Sequence, residues 1–323
     1  MTDDQKPEAP DLRAIRAAAE RIRPYAHQTP VLTCSSFNAM VGAELFFKCE
    51  NLQKVGAFKF RGAANAVFSL PETKAAKGVA THSSGNHAQA LALAARLRGI
   101  PAHIVMPENS PKVKVAAVRG YGARIIFCPS TQKDREQTLE KVVAETGATF
   151  IHPYNNLRII AGQGTCALEL IGEIPGLDIV MAPVGGGGLL SGTALCCHYL
   201  DPEIQVIAGE PKGADDAFRS IRDGRIYPSE NPITIADGLR TSLGSLTFPI
   251  IHRYVEKIVT VEEESIVTAM RHIWERMKIL IEPSAAVPFA AVLEGTFQVR
   301  DKRIGIILSG GNLDLDTLPW LQR

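Results

Sequence analysis

Apolar and polar positions change period repeatedly along the chain, and they do so in a regular order. Short apolar runs rich in β-branched and aromatic residues, ELFFKC (44–49), GVATHS (78–83), AHIVM (102–106) and RIIFC (124–128), have the length and composition of strands. Each precedes a helical pattern: the segment around Lys59, then NHAQALALAARLRG, SPKVKVAAVRGYG and TQKDREQTLEKVVAETG. The later half repeats the habit. DIVMAP precedes GGGGLLSGTALCCHYL, QVIAGE precedes GADDAFRSIRDG, and RIGIIL closes the series of strands. At the start, Asp11 is placed to cap a helix through LRAIRAAAERIR that Pro24 stops.

Strand, loop and helix in alternation predict an α/β protein with parallel sheets wrapped by helices, and chemistry in the loops at the carboxyl ends of strands. Two sheets are expected rather than one. Residues 75–150 read as a small inserted domain, with 1–74 and 151–323 together forming the larger one. A cleft between the two is the expected ligand site.

Composition narrows the function. Over 323 residues, 35 Lys and Arg against 34 Asp and Glu leave a formal charge of +1, which points to neither nucleic acid nor an anionic membrane. Apolar runs are broken well before the ~18 residues of a membrane span. The opening MTDDQKPEAPDL has no apolar core and is read as a short leader, and a cytoplasmic location is expected. Six cysteines form no CxxC pair, so reduced thiols are expected.

Four loops carry candidate chemistry. In APVGGGGLLSG, Gly185, Gly186, Gly187 and Gly188 stand between a strand and a helix, where unobstructed N–H groups and the helix dipole make an anion cradle suited to phosphate. It matches neither GxGxxG nor GxxxxGK[ST]. In THSSGNHAQA, Ser83, Ser84, Asn86 and His87 bring polar groups to a helix N-terminus, either to cap it or to hold a carboxylate. ILSGGN ends the last strand with Ser309, alone no more than a cap or turn. GEPKGADD offers Glu210, Asp215 and Asp216, either an acidic surface turn or oxygen ligands for a hard cation. Lys59, set between Phe58 and Phe60 in KVGAFKFRGAANAV, must be solvated, paired or chemically used. An amine, a phosphate cradle, carboxylate donors and a strand-end hydroxyl together are the set that pyridoxal phosphate needs.

With these motifs in this order, from about His27 to Leu315, the chain resembles the fold type II pyridoxal-phosphate enzymes, and among them the serine racemases and 3-hydroxyaspartate dehydratases. HQTPV, FKCENLQKVGAFKFRGA, HSSGNHAQAL, AGQGT, PVGGGGLLSG, GEPKGADD, ADGLRTSLG, WERMKILIEPSAA and LSGGN carry the likeness. The resemblance implies a two-lobed architecture like the tryptophan synthase β chain. It implies that Lys59 bonds the cofactor aldehyde, that Phe58 and Asn86 lie against its ring, that the glycine tetrad holds its phosphate, and that Ser309 meets its ring nitrogen. It further implies that Ser83, Asn86 and His87 hold the substrate α-carboxylate and that Ser84 is a second acid/base. Glu210, the Ala214 carbonyl and Asp216 would bind Mg²⁺, Ca²⁺ or Mn²⁺, and the assembly would be a homodimer.

Within that resemblance, Ser84 stands where threonine dehydratases usually have alanine, and no regulatory domain is expected after Arg323. EPSAAVPFAAV has Ala286 where relatives have glycine. Arg135 in TQKDREQ, with Arg240 and Thr241 in ADGLRTSLG, are candidates for a second substrate carboxylate, since a guanidinium can grip one bidentately. The expected activity is elimination of the β-hydroxyl of a 3-hydroxy amino acid, favouring 3-hydroxyaspartate, to give oxaloacetate through iminosuccinate and ammonia. The alternatives are serine racemisation with dehydratase activity, and a non-catalytic ligand-binding protein on the same fold.

Overall fold

The structure, a computed structural model, describes residues 8–110 and 112–321, so most of the leader lies outside the described residues. Among the described residues, ten strands form a six-stranded sheet of order β1-β2-β10-β7-β8-β9 and a four-stranded sheet of order β5-β4-β3-β6. The first comprises β1 (Val31–Thr33), β2 (Glu44–Cys49), β7 (Ile179–Pro183), β8 (Gln205–Pro211), β9 (Lys257–Val261) and β10 (Arg303–Leu308). The second comprises β3 (Val79–His82), β4 (Ala102–Pro107), β5 (Arg124–Cys128) and β6 (Thr149–Phe150). All pairings are parallel except β1 with β2, a short antiparallel edge.

Register follows burial. In β10, Ile304 to Leu308 are all buried between β2 and β7. Each isoleucine or leucine there is worth about 1.5–3 kcal/mol when buried, and register is fixed by Gly305, where a Cβ would stand 2.8 Å from Leu170 Cδ2. At the chain start, Asp11 caps the Leu12–Ile22 helix by accepting from Ala14 N at 2.8 Å, and Ile15, Ala18 and Ile22 face inward. Among the described residues, no helix is long and apolar enough to cross a membrane.

Three helices fasten the sheets together. The Leu157–Glu173 helix lies between the Lys59–Phe68 helix and the Gly188–Leu200 helix. It approaches both through glycine pairs. A Cβ on Gly162 would stand 2.6 Å from Gly62 Cα, and one on Gly192 would stand 2.5 Å from Gly164 N. Apolar residues of the Lys59 helix, Phe60, Ala63 and Val67, join Leu91 and Ile104 over the four-stranded sheet. The lysine and the glycine tetrad thus begin helices that share one packed neighbour.

Candidate active site

Lys59 opens its helix immediately after the strand-like contact of Ala57 with Gly310. Phe58 N donates to Ser309 O at 3.0 Å, so Ser309 sits beside the lysine turn at the carboxyl end of β10. Upstream, Val55 adopts φ +56°, an outlier for a β-branched residue. Asn312 fastens this turn by donating from Nδ2 to Val55 O at 2.6 Å. Lys59 is half-buried, and its Nζ donates to Pro153 O at 3.1 Å. Burial pulls its pKa down to about 8, with the Glu282 charge opposing, so a useful fraction of free amine exists near neutrality.

The tetrad leads from β7 into the Gly188–Leu200 helix. Gly187, at φ +85°, is the N-cap, and no side chain caps the helix, which leaves its first N–H groups open to an anion. The glycines are also demanded by what lies behind them. A Cβ on Gly186 would stand 2.3 Å from the Tyr154 ring, and one on Gly185 would stand 2.9 Å from Leu239 Cα and 3.2 Å from Thr241 Oγ1. Thr247 Oγ1 holds the loop by donating to Gly186 O at 2.9 Å.

The serine-rich loop follows β3. Its helix, Asn86–Arg98, has Gly85 as N-cap with no side-chain hydrogen bond, so the capping alternative for its serines and asparagine is not what forms. Ser83 Oγ instead accepts from Gly85 N at 3.3 Å and shapes the loop. Ser84 is half-buried there.

At His87, packing decides which ring nitrogen can donate. Its ring is buried, Nε2 stands 3.1 Å from the Ile151 carbonyl, and burial with nearby Lys59 lowers its pKa to about 3. A neutral ring facing a carbonyl must carry its proton on Nε2, which leaves Nδ1 able only to accept. Nδ1 has no partner among the described residues. Any grip of His87 on a carboxylate comes through its backbone N–H at the helix start.

Glu282 is the group that motif reading missed. It precedes the Pro283–Leu293 helix and is 4 % exposed. Its two oxygens accept from Asn86 Nδ2 at 2.9 and 3.1 Å, and Oε2 accepts from Asn312 N at 3.1 Å. Burial first, then the Asp237 charge, raises its pKa to about 7. A buried glutamate that fixes the asparagine beside the lysine leaves one signal in sequence, its place just before a helix-starting proline.

That shift has a measurable consequence. For a carboxyl whose pKa rises on folding, the associated stability is complete below the unfolded value of about 4.3 and is lost as pH climbs through about 7. Between pH 5 and 8 the wild-type Tm should therefore fall a few degrees more than that of Glu282→Gln. Parallel Tm curves for the two proteins would show that Glu282 titrates normally.

Both distal arginines are tied to backbone. Arg135, in the Gln132–Thr146 helix, donates from Nε and Nη2 to Ser130 O at 3.2 and 2.8 Å. Its charge reaches His82, which immediately precedes Ser83. Arg240 donates from Nε to Thr234 O at 3.0 Å and from Nη2 to the same oxygen, in the loop that leans on Gly185.

Away from these loops, Glu210 accepts from Ala217 N and Phe218 N at 2.8 and 2.7 Å, at the start of the Asp216–Asp223 helix. Asp216 is buried, and neither carboxylate oxygen has a partner among the described residues. The nearby Ser229 hydroxyl is likewise unpartnered. Burial raises the pKa of both acids, that of Asp216 to about 6. Among the described residues Glu210 and Asp216 join no ion pair, although Arg219, paired with Asp215, lends Asp216 part of its charge; two such buried carboxylates beside the Ala214 turn are oxygen donors of the kind a hard divalent ion takes.

The lysine, the open helix starts and Ser309 likewise suit pyridoxal phosphate. Comparison with known proteins agrees. Residues 22–310 match the family described as "Pyridoxal-phosphate dependent enzyme". The chain is 52 % identical over 311 residues to a β-hydroxyaspartate dehydratase of Paracoccus denitrificans (strain Pd 1222), covering 96 % of this chain and 99 % of that one. It is also 52 % identical over 323 residues to a serine racemase of Arabidopsis thaliana, covering 98 % of each. The crystal structure of serine racemase from Dictyostelium discoideum superposes with a TM-score of 0.91 at 50 % identity, over 94 % of this chain and 99 % of that one.

Proposed function

The chain belongs to the pyridoxal-phosphate-dependent enzymes, in their dehydratase and racemase branch, and from that premise we propose that it eliminates the β-hydroxyl of 3-hydroxyaspartate as water, the iminosuccinate so formed then taking up water to release ammonia and oxaloacetate. When bound, the cofactor supplies the electron sink that acidifies the substrate Cα–H. The chain's own groups do the rest. The Lys59 amine, made partly neutral by burial, takes the α-proton on one face. Ser84 holds or returns a proton on the other. Open N–H groups at the start of the Asn86 helix, with the Ser83 hydroxyl, orient the α-carboxylate. Phe58 and Asn86 flank the ring, with Asn86 held by Glu282. The tetrad would receive the phosphate, and Ser309 would meet the ring nitrogen as a neutral partner. A hydroxyl there does not stabilise a protonated pyridine as a carboxylate would, which favours prompt elimination.

The substrate assignment rests on one observation. Arg135, in the first turn of the Gln132–Thr146 helix, puts its charge near His82 beside the serine-rich loop, and Arg240 lies in the loop whose Thr241 leans on the tetrad. The remaining Nη1 edge of each guanidinium is where a β-carboxylate would be held. Racemisation is the second reading, because proton transfer on opposite faces needs two bases and the serine racemase of Arabidopsis thaliana is as similar as the dehydratase.

A screen of kcat/KM across both hydroxyaspartate diastereomers in both hands, with L-serine and L-threonine, decides between them. We expect at least a tenfold preference for one hydroxyaspartate isomer; a preference for threonine would remove the substrate assignment. In the same assay, chelation should lower both activity and Tm, with recovery on adding Mg²⁺, Ca²⁺ or Mn²⁺ at Glu210, Ala214 O and Asp216. Values unmoved by chelator would remove the metal. We further propose a homodimer, to be checked by light scattering, where a monomer mass would refute it.

A further inference from the structure

We propose that a buried lattice of Lys48, Glu50, Arg61 and Glu169 is a positioning device that sets the direction of Lys59. The inference rests on the reading of Lys59 as the cofactor lysine. Arg61 lies two residues after it in the first turn of the same helix and is fully buried, as are Lys48 and Glu50. One edge of its guanidinium meets Glu50, Nε to Oε2 at 2.7 Å and Nη2 to Oε1 at 2.8 Å. The other meets Glu169 of the Leu157 helix, Nη1 to Oε1 at 2.7 Å and Nη2 to Oε2 at 2.8 Å, and Nη1 also reaches Thr165 Oγ1 at 3.2 Å. Lys48 closes the lattice by donating to Glu169 Oε2 at 2.7 Å and Thr29 O at 2.6 Å, while Thr29 Oγ1 donates to Glu50 Oε1 at 2.5 Å. Two cations face two carboxylates, so the buried charge cancels.

Stability alone is a poor account of this lattice. A buried ion pair loses in desolvation much of what it gains, and apolar packing in its place is often as stable. What a planar fork between two carboxylates does supply is direction, because it fixes rotation about two axes at once. The Lys59 helix needs that. Its N-cap, Phe58, makes no side-chain capping bond, and besides Gln163, whose Oε1 accepts from Gly62 N at 3.1 Å, Arg61 is the group that orients the first turn. Glu50 immediately follows β2 and Glu169 sits on the helix packed between the lysine helix and the tetrad helix. Arg61 therefore ties the azimuth of Lys59 to both. A displacement of about 1 Å at the reacting amine costs on the order of 10²-fold in rate.

The test compares Arg61→Lys with Asn65→Ala in the holoenzyme. Lysine keeps the charge but is a point donor that cannot align two carboxylates. Asn65 anchors the same helix farther along, accepting from Arg21 Nη1 at 2.5 Å and donating to Arg158 O at 2.7 Å, so it controls for lost packing. Arg61→Lys should lower kcat by about tenfold or more with KM within about threefold, and should weaken the visible circular dichroism that the asymmetric site induces in bound pyridoxal phosphate. Asn65→Ala should lower Tm while leaving kcat and the dichroic band near wild type. Wild-type kcat and dichroism in Arg61→Lys, or losses in both variants that merely track Tm, would overturn the proposal. If Arg61→Lys is insoluble, Glu169→Gln, whose side chain is 24 % exposed, is judged by the same criteria. Failure of the lysine reading looks different: wild type would then show no visible band, or Lys59→Ala would keep it.

Discussion

Lys59→Ala is expected to lower kcat by roughly 10³-fold or more while leaving the fold intact. The lysine is half-buried and its Nζ spends one bond on Pro153 O, so truncation removes a desolvated amine rather than a structural cation. Loss of that amine should stabilise the surroundings slightly, if anything, because burial opposes its charge. Borohydride reduction of the wild-type holoenzyme, then peptide mapping, should place the cofactor label on Lys59, and the variant should yield none. A label on any other lysine would displace Lys59 from the centre of the chemistry and take the proposed reaction with it.

Gly186→Ala carries the second large effect. The added methyl would meet three Tyr154 ring atoms at 2.3–2.4 Å, and Tyr154 is also packed against Gly188. The ring cannot retreat as the tip of a flexible chain would, so loop and ring must part. Overpacking of this kind costs about 1–3 kcal/mol, and here the cost falls on the geometry that would face the cofactor phosphate. Pyridoxal phosphate affinity, read by fluorescence titration of apoprotein, should weaken at least tenfold with a smaller change in Tm. Unchanged affinity would mean that the phosphate does not rest on the tetrad.

How these sites could be anticipated varies with the range of the interaction. Strands β2 to β5, β7, β8 and β10 are legible because each concentrates apolar residues between turn signals, and burial then rewards that pattern. β1 and β6, with three and two residues, are too short to show a period, and pairing alone defines them. Asp11 as a cap is a local event and is read locally. The tetrad is legible as a loop, yet Tyr154, one reason it must be glycine, lies more than thirty positions upstream. Glu282 and Asn86 are 196 residues apart, and only tertiary packing makes them partners. His87 shows the opposite case: its residue type reads locally as a donor, but which acceptor the ring meets, the Ile151 carbonyl, is decided by tertiary packing.

The ion pair of Lys114 with Asp237, at 2.6 Å, joins the Lys112–Gly120 helix beside the four-stranded sheet to the turn that leans on the tetrad. Asp237 is about half exposed, and pairs in such water contact are worth about 0–1 kcal/mol and are screened at physiological ionic strength. The clasp between these two elements is thus one whose hold slackens as dissolved electrolyte rises, whereas the buried Arg61 lattice is shielded from it.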